Sequence, residues 1–379
     1  MIKQIFPILA LSVFSSMLGM GIIAPLLPLY AESLGATRIW LGIIFAGFSL
    51  SRAIFLPIIG RLSDRSGRKL FICIGLFIYA IISLGYIWAD NVSQLTLVRL
   101  IQGAAAGMII PIAQAYVGDI SPEGEEGKWM GYFHAAFFTG FGVGPLMGGA
   151  LTDHFGMNVA FFTMGGLNLL AFLIVALFLP EVRRSETATS PHPSFKRMST
   201  SGIIKGLFVF RLTDALGRGA FSCFLPIFAA ISIGLSPTLI GILLAVNILL
   251  MSLLEVYGGN IADRFSRRAL VVFGSLVRLT FLALIPLMHS FWQLFGLCAL
   301  QGLGVAVSLP AASALVVEEG RRFGMGSTIA IFTLAMSIGM AIGPLLGGVI
   351  ADFVSTNSVF YFAAGMGIAG TSLFIWFTR

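Results

Sequence analysis

Long apolar stretches separated by short polar clusters run through the whole sequence. Each stretch has about 20 residues or more, the length that an α-helix needs to cross the hydrocarbon core of a bilayer. The alternation of apolar and polar residues that marks membrane β-strands is missing from these stretches. The pattern therefore predicts an all-α membrane protein with twelve transmembrane helices. Their predicted limits are 5–31, 38–60, 70–89, 93–119, 128–151, 158–180, 202–232, 237–259, 269–288, 291–316, 324–350 and 357–378.

The first stretch, 5–31, also has to be compared with a secretory signal peptide. It is longer than the apolar core of such a signal, carries Pro25 and Pro28 near its end and shows no clear cleavage site of small residues. We therefore expect it to stay in the protein as the first transmembrane helix.

Composition restricts the class of protein further. Hydrophobic residues make up 58% of the chain and charged residues 10%, compared with about 25% charged residues in a soluble domain. This composition excludes a soluble enzyme, a disordered protein and a nucleic-acid-binding domain. The three cysteines lie in separate apolar stretches and the four histidines are far apart. We therefore expect no disulfide framework, no metal site and no cofactor.

The distribution of basic residues predicts the orientation. If both termini are cytoplasmic, 17 of the 23 Lys and Arg residues fall in inner loops and tails, and only Arg38 falls in an outer loop. Inner loops of membrane proteins carry such an excess of positive charge. We expect a multi-pass protein of the cytoplasmic (inner) membrane with both termini inside. The remaining five bases lie inside predicted helices: Arg52, Arg99, Arg211, Arg218 and Arg278.

The two halves of the chain repeat each other in sequence. Residues 181–201 are polar, basic and rich in Ser, Thr and Pro, which predicts a flexible linker between a six-helix bundle at 1–180 and a second at 202–379. Matching residues of the halves differ by 199 positions: Gly60 and Gly259, Asp64 and Asp263, Arg68 and Arg267, Pro145 and Pro344, Gly149 and Gly348, Asp153 and Asp352. Bundles repeated in parallel, with a pseudo-twofold axis along the membrane normal, are an architecture of secondary transporters.

Two motifs have a defined spacing. The loop after the second predicted helix reads GRLSDRSGRK and contains the charged and small residues Gly60, Asp64, Arg65 and Arg68. The fifth predicted helix has glycines every four residues, so these glycines share one face and allow another helix to approach closely. This second motif consists of Gly140, Gly144, Pro145, Gly148 and Gly149.

These motifs resemble the major facilitator superfamily over the whole chain, and the glycine motif resembles the antiporter motif of its twelve-helix drug:proton antiporters. Arg99 and Gln102 in the fourth helix are similar to the R-x-x-Q-G motif of proton-coupled members. The resemblance implies a central cavity lined by helices 1, 4, 7 and 10. It also implies an inner gate in which Asp64 caps helix 11 and Arg68 pairs with Asp119. The gating residues predicted in this way are Gly60, Asp64, Arg65, Arg68, Asp119 and Asp263.

Helix 7 carries the densest group of charges inside the predicted membrane. Arg211, Asp214 and Arg218 are spaced three and four residues apart and therefore share a face. Asp214 lies about 14 Å from Lys205 along the helix, near the membrane midplane. Ionisable residues at such depth are expensive and therefore suggest a function. The alternative is an ion-pair cluster that only orients helix 7.

Further candidates for the substrate or proton pathway are weaker. Arg99 and Gln102 share a face of helix 4, and the family resemblance implies that Arg99 tunes a proton-binding carboxylate or contacts substrate. Two roles are open for Glu255. It is structural if it pairs with Arg278, and otherwise it is a second candidate proton carrier. Polar residues without a charge complete the set: Asn247 and Gln301.

The function predicted from these features is secondary active export. A phosphate-binding loop of the form G-x4-G-K-[ST] is missing from the sequence, so coupling must use an ion gradient or the gradient of a substrate. We expect export of small amphipathic compounds by proton antiport, through alternating access of a monomer in the lipid bilayer. An organic-anion exporter or exchanger is the alternative, because the predicted helices embed five arginines but only two clear acids, Asp214 and Glu255. A membrane enzyme would need a catalytic cluster that the sequence does not show, and a non-transporting scaffold would show no substrate flux.

Overall fold

The computed structural model describes residues 2–122, 125–181, 200–323 and 325–379. These residues form twelve long α-helices, a short 3₁₀ turn at Ile285–Leu287 and no strand. The helices are α1 (Ile2–Ser33), α2 (Arg38–Ser66), α3 (Arg68–Ile87), α4 (Val92–Ile120), α5 (Glu126–Phe155), α6 (Met157–Phe178), α7 (Gly202–Ile233), α8 (Pro237–Arg264), α9 (Arg267–Leu284), α10 (Phe291–Phe323), α11 (Met325–Phe353) and α12 (Thr356–Phe377).

All twelve helices in the described ranges are long and apolar enough to cross a membrane, as predicted. Several of them continue past the predicted limits into polar sequence, most clearly α10, which ends at Phe323 rather than near residue 316. Charge ends an apolar run, but it does not interrupt the backbone hydrogen bonds of a helix, so helix ends extend beyond the apolar part.

The described residues separate into two compact units. One contains Met1–Ala36, Gly47–Thr187 and Leu235–Ala245, and the other contains Thr37–Ala46, Ala188–Gly234 and Val246–Arg379. The first residues of α2 thus cluster with the C-terminal helices, and the first residues of α8 cluster with the N-terminal helices. The linker predicted at 181–201 lies almost wholly outside the described residues and stays a prediction.

The two units repeat the same packing. In the first unit α1 packs most extensively on α5, and in the second α7 packs most extensively on α11, the pair 199 residues later. The packing of α3 on α4 and α6 recurs as that of α9 on α10 and α12. The repeat in the sequence is therefore also a repeat in three dimensions within each unit.

Three glycines of the antiporter motif, Gly140, Gly144 and Gly148, form the contact surface between α5 and α1. A methyl group on Gly140 would lie 2.5 Å from the carbonyl oxygen of Phe14. On Gly144 it would lie 2.5 Å from the Cα of Gly21, and on Gly148 it would lie 2.9 Å from the carbonyl carbon of Ile22. The four-residue spacing therefore brings the two helix backbones into direct contact, as small residues do in membranes.

Candidate functional site

The charged face of α7 forms a buried ion-pair cluster in the second unit. The Asp214 side chain is only 4% exposed. Its Oδ2 accepts hydrogen bonds from Arg211 Nη1, at 3.3 Å, and from Arg218 Nη2 one turn further along. Arg218 is the more accessible arginine, with 28% of its side chain exposed. The predicted spacing of three and four residues thus brings both guanidinium groups to one carboxylate.

A third arginine, Arg278 of α9, reaches the same carboxylate. Its Nη2 lies 3.3 Å from Asp214 Oδ1, and its Nη1 donates to the Asp214 backbone oxygen at 3.4 Å. A methyl group on Gly217 would lie 3.4 Å from this guanidinium, so the absence of a side chain there gives Arg278 its room. Arg278 therefore pairs with Asp214, and its expected pairing with Glu255 stays a prediction. The Glu255 side chain lies outside the described part of the structure.

The cluster carries an excess of positive charge. One carboxylate faces the three guanidinium groups of Arg211, Arg218 and Arg278, so these four side chains together carry a formal charge of +2. Arg211 also contacts an aromatic ring and a thioether. Its guanidinium lies 4.9 Å from the ring centre of Phe332, and its Nη2 lies 2.9 Å from the sulfur of Met336. Such burial of charge is expensive unless a partner compensates for it.

Arg99 and Gln102 form a second buried cluster, in the other unit. Gln102 Oε1 accepts hydrogen bonds from Arg99 Nη1, at 2.7 Å, and from the Tyr86 hydroxyl, at 2.6 Å. The Arg99 guanidinium lies 4.5 Å from the ring centre of Phe48. The amide nitrogen of Gln102 and the hydroxyl of Tyr79 are buried without a hydrogen-bond partner among the described residues. The sequence-predicted pair on α4 is therefore part of a network with α3.

Asn247 and Gln301, two further predicted pathway residues, contact each other. Asn247 Nδ2 donates to Gln301 Oε1 at 3.3 Å and to the backbone oxygen of Cys298 at 3.0 Å. The described contacts of Asn247 thus hold α8 against α10. They do not connect either residue to the cluster around Asp214.

Where α3 begins and α4 ends, Arg68 forms the ion pair with Asp119 that the family resemblance implies. The equivalent positions of the second unit also form an ion pair, in which Arg267 Nη1 lies 3.3 Å from Glu318 Oε2. Glu318 was missed in the sequence, although it stands 199 residues after Asp119. The side chains of Asp64, Arg65 and Asp263, and residue 324 directly before α11, lie outside the described part of the structure, so the cap on α11 stays a prediction.

The loop motif also explains one departure between its two copies. Gly67 precedes α3 with a φ of +98°, in the region that favours glycine. At the equivalent position Ser266 has a φ of −58°, and its hydroxyl accepts a hydrogen bond from Ala269 N at the start of α9. The first copy therefore needs glycine, whereas the second uses an ordinary capping serine.

Comparison with known proteins agrees with this architecture. The sequence matches the family described as Major Facilitator Superfamily over residues 9–213 and 207–379. It is 30% identical over 373 residues to the quinolone resistance protein NorA of Staphylococcus aureus strain MSSA476, covering 97% of this chain and 95% of that protein. It is 28% identical over 370 residues to the uncharacterized MFS-type transporter MJ1560 of Methanocaldococcus jannaschii, covering 96% of this chain and 95% of that protein.

Solved structures with the same fold include two transporters. A bacterial homologue of the human lysosomal transporter Spinster, in an inward-facing and occupied conformation, has a TM-score of 0.86 at 15% identity, covering 100% of this chain and 97% of the other. A mutant form of the nucleoside transporter NupG has a TM-score of 0.82 at 14% identity, covering 99% of this chain and all of the other. At such identities these likenesses show the fold alone. Together with the family match over almost the whole length, they establish that this chain belongs to the major facilitator superfamily and is a multi-pass membrane transporter, not an enzyme.

Proposed function

We propose that this transporter is a secondary active exporter of small amphipathic compounds that carry an anionic group. It lies in the cytoplasmic membrane with both termini inside, and proton antiport drives the export. The likeness to a quinolone resistance protein and the glycine motif of α5 support export and antiport. The observation that carries the substrate class is the excess of two positive charges in the cluster of Asp214 with three arginines.

An anionic group fits this cluster because three guanidinium groups share the carboxylate of Asp214, and an anion offers them further acceptor oxygens. A carboxylate or sulfonate offers several acceptor oxygens, and guanidinium groups bind such groups through paired hydrogen bonds. Arg218 is the most accessible of the three arginines and shares its contact on Asp214 Oδ2 with Arg211. In this proposal the substrate displaces Asp214 from Arg218 and binds there, while Phe332 beside Arg211 offers apolar surface to the rest of the compound.

The same charges decide which acid can carry the exchanged proton. A proton on Asp214 would make the cluster more positive and so would favour a bound anion, and a bound anion would favour the proton in return. Antiport requires the opposite, since substrate and proton must exclude each other. The antiported proton therefore binds at a different carboxylate, and Glu255 of α8 is the candidate that the sequence offers.

The test is a flux measurement with three naphthalene derivatives that differ only in charge. They carry a sulfonate, a carboxamide or a trimethylammonium group, and none crosses a bilayer as a protonated weak acid. In proteoliposomes with an acidic lumen, the proposal predicts that the inverted transporter accumulates the sulfonate, and that Glu255→Gln loses accumulation but keeps downhill flux. Protein-free vesicles are the control.

Three outcomes would change the proposal. Accumulation of the trimethylammonium compound alone would refute the anionic substrate class. Sulfonate flux that needs an anion on the other side and ignores the pH gradient would show an anion exchanger in place of a proton antiporter. Lack of flux for all three compounds would refute the proposed export of amphipathic compounds.

A further inference from the structure

Two aspartates cap the first turns of helices that are distant from them in the sequence. Asp352, in the last turn of α11, accepts hydrogen bonds from Arg38 N through Oδ1 and from Ile39 N through Oδ2, both at 2.9 Å. Asp153, in the last turn of α5, accepts a hydrogen bond from Thr238 N through Oδ2, also at 2.9 Å. The partners are the first residues of α2 and α8, whose amides have no acceptor within their own helix.

Backbone contacts accompany each cap, one turn earlier on the same helix face. A methyl group on Gly149 would lie 2.8 Å from the carbonyl carbon of Pro237. On Gly348 it would lie 3.0 Å from the carbonyl carbon of Arg38. Both distances are shorter than ordinary van der Waals contact, so only glycine allows the aspartate of the next turn to reach the helix start.

One turn further from each cap, the contact is made by a glycine on the opposite helix. A methyl group on Gly42 of α2 would lie 2.5 Å from the carbonyl oxygen of Pro344 on α11. A methyl group on Gly241 of α8 would collide with the carbonyl oxygen of Pro145 on α5. We call these two contacts, between α2 and α11 and between α5 and α8, the outer crossings. In each crossing one helix contributes a proline carbonyl, a glycine and an aspartate at four-residue intervals.

Every residue of one crossing stands 199 positions from its equivalent in the other. Each crossing joins a helix of one repeat to a helix of the other repeat, and each lies inside one compact unit. The predicted topology places all four helix ends on the outer side. Asp153 and Asp352 are exposed there, so water can replace both caps when the helices separate.

We infer that Asp153 and Asp352 are a matched pair of outer-gate residues, which hold the outer side closed and release it only when both caps break. The physical basis is the favourable interaction of a carboxylate with the free amides and the positive dipole end of a helix. In a transporter whose two repeats rock against each other, α5 must leave α8, and α11 must leave α2, when the outer side opens. The caps therefore stabilise the outer-closed state and not the outer-open state.

The experiment measures the outer crossing directly in the purified full-length protein. Spin labels are placed at Trp40 and Val354, near the crossing of α2 and α11, and at Phe155 with a position in the first turn of α8. Their distance distributions are compared between the parent protein, the aspartate-to-alanine variants of Asp153 and Asp352, and the double variant. Asp90→Ala is the matched control, because Asp90 is an exposed aspartate of an outer loop and lies at neither crossing.

Loss of a helix cap shifts an equilibrium by about five-fold, and two independent caps shift it by about 25-fold. We therefore expect the ratio of long to short distances to rise by these factors in the single and double alanine variants, and not in the control. The aspartate-to-asparagine variants keep an amide oxygen as acceptor and should show a smaller shift, which also covers the case in which an alanine variant does not fold.

Two results would overturn the inference. A folded double variant with the distance distribution of the control would show that the caps do not hold the gate. A lower melting temperature without a change in the distances would show a purely structural role. Neither readout involves a substrate, so the inference stands or fails independently of the proposed export of anionic compounds.

Discussion

Replacing Asp214 with asparagine tests the charge balance of the buried cluster most severely. The substitution keeps a side-chain oxygen and the shape of the residue, but it removes the negative charge that, among the described residues, faces three guanidinium groups. At 3.3 Å and an effective dielectric constant of about 20, each of the two pairs measured at that distance contributes an attraction of about 5 kcal/mol, partly offset by repulsion among the arginines. Loss of one partner of a buried ion pair typically costs about 3–5 kcal/mol. We expect Asp214→Asn to lower the unfolding free energy by this amount.

The expected loss is reversible by an anion, and this property separates the proposal from simple structural damage. Any anion that binds the three arginines of the folded variant stabilises it, by about 2.7 kcal/mol at one hundred times its dissociation constant. Thermal unfolding in detergent, followed by intrinsic tryptophan fluorescence, should therefore show a low melting temperature that rises as naphthalene sulfonate is added. The trimethylammonium derivative should have no such effect.

The matched control is Glu318→Gln, which removes the acid of an exposed ion pair with Arg267. An exposed pair contributes about 1 kcal/mol or less, so its loss should hardly change the melting temperature. If Asp214→Asn melts at the temperature of this control, or if sulfonate does not stabilise it, Asp214 does not balance the buried arginines and the cluster does not bind the anion.

Three further substitutions, one of them with a matched control variant, test other parts of the structure by thermal unfolding. Gln102→Ala leaves two buried hydrogen-bond donors without their acceptor and should cost about 2–4 kcal/mol, and a loss below about 0.5 kcal/mol would contradict the network. Gly144→Ala should separate α5 from α1 and lower the melting temperature by several degrees. Gly131→Ala, where a methyl group would meet nothing within 4 Å, should not, so equal effects would contradict the packing role. Asp119→Asn should cost about 1–2 kcal/mol, because the pair with Arg68 is only partly buried, and a neutral result would contradict its stabilising role.

The helices were predictable because a bilayer imposes a simple length and composition on every crossing. The charged ends were less predictable, since α10 continues to Phe323, past its predicted limit and into polar sequence. The offset of 199 residues was the most informative single observation. It also relates Arg267 and Glu318 to Arg68 and Asp119, and that relation could have been found in the sequence alone.

The pairing of charges between helices was not predictable in the same way. Arg278 could have faced Glu255 or Asp214, because the rotation of α9 about its axis decides the partner and the first repeat has no equivalent ion pair to guide the choice. The residue at its equivalent position is Tyr79, which cannot form an ion pair of this kind. The excess positive charge around Asp214 is therefore a result of the three-dimensional structure.

Equilibrium binding of naphthalene sulfonate to the purified transporter tests the central proposal most directly. The parent protein is compared with Arg278→Gln, which removes a charge from the buried cluster, and with Arg267→Gln, which removes the same charge from an exposed pair. We expect Arg278→Gln to weaken binding about ten-fold or more, a loss of about 1.4 kcal/mol, and Arg267→Gln to leave the affinity unchanged. Equal affinities for all three proteins would contradict the assignment of the arginine cluster as the site of the anionic group.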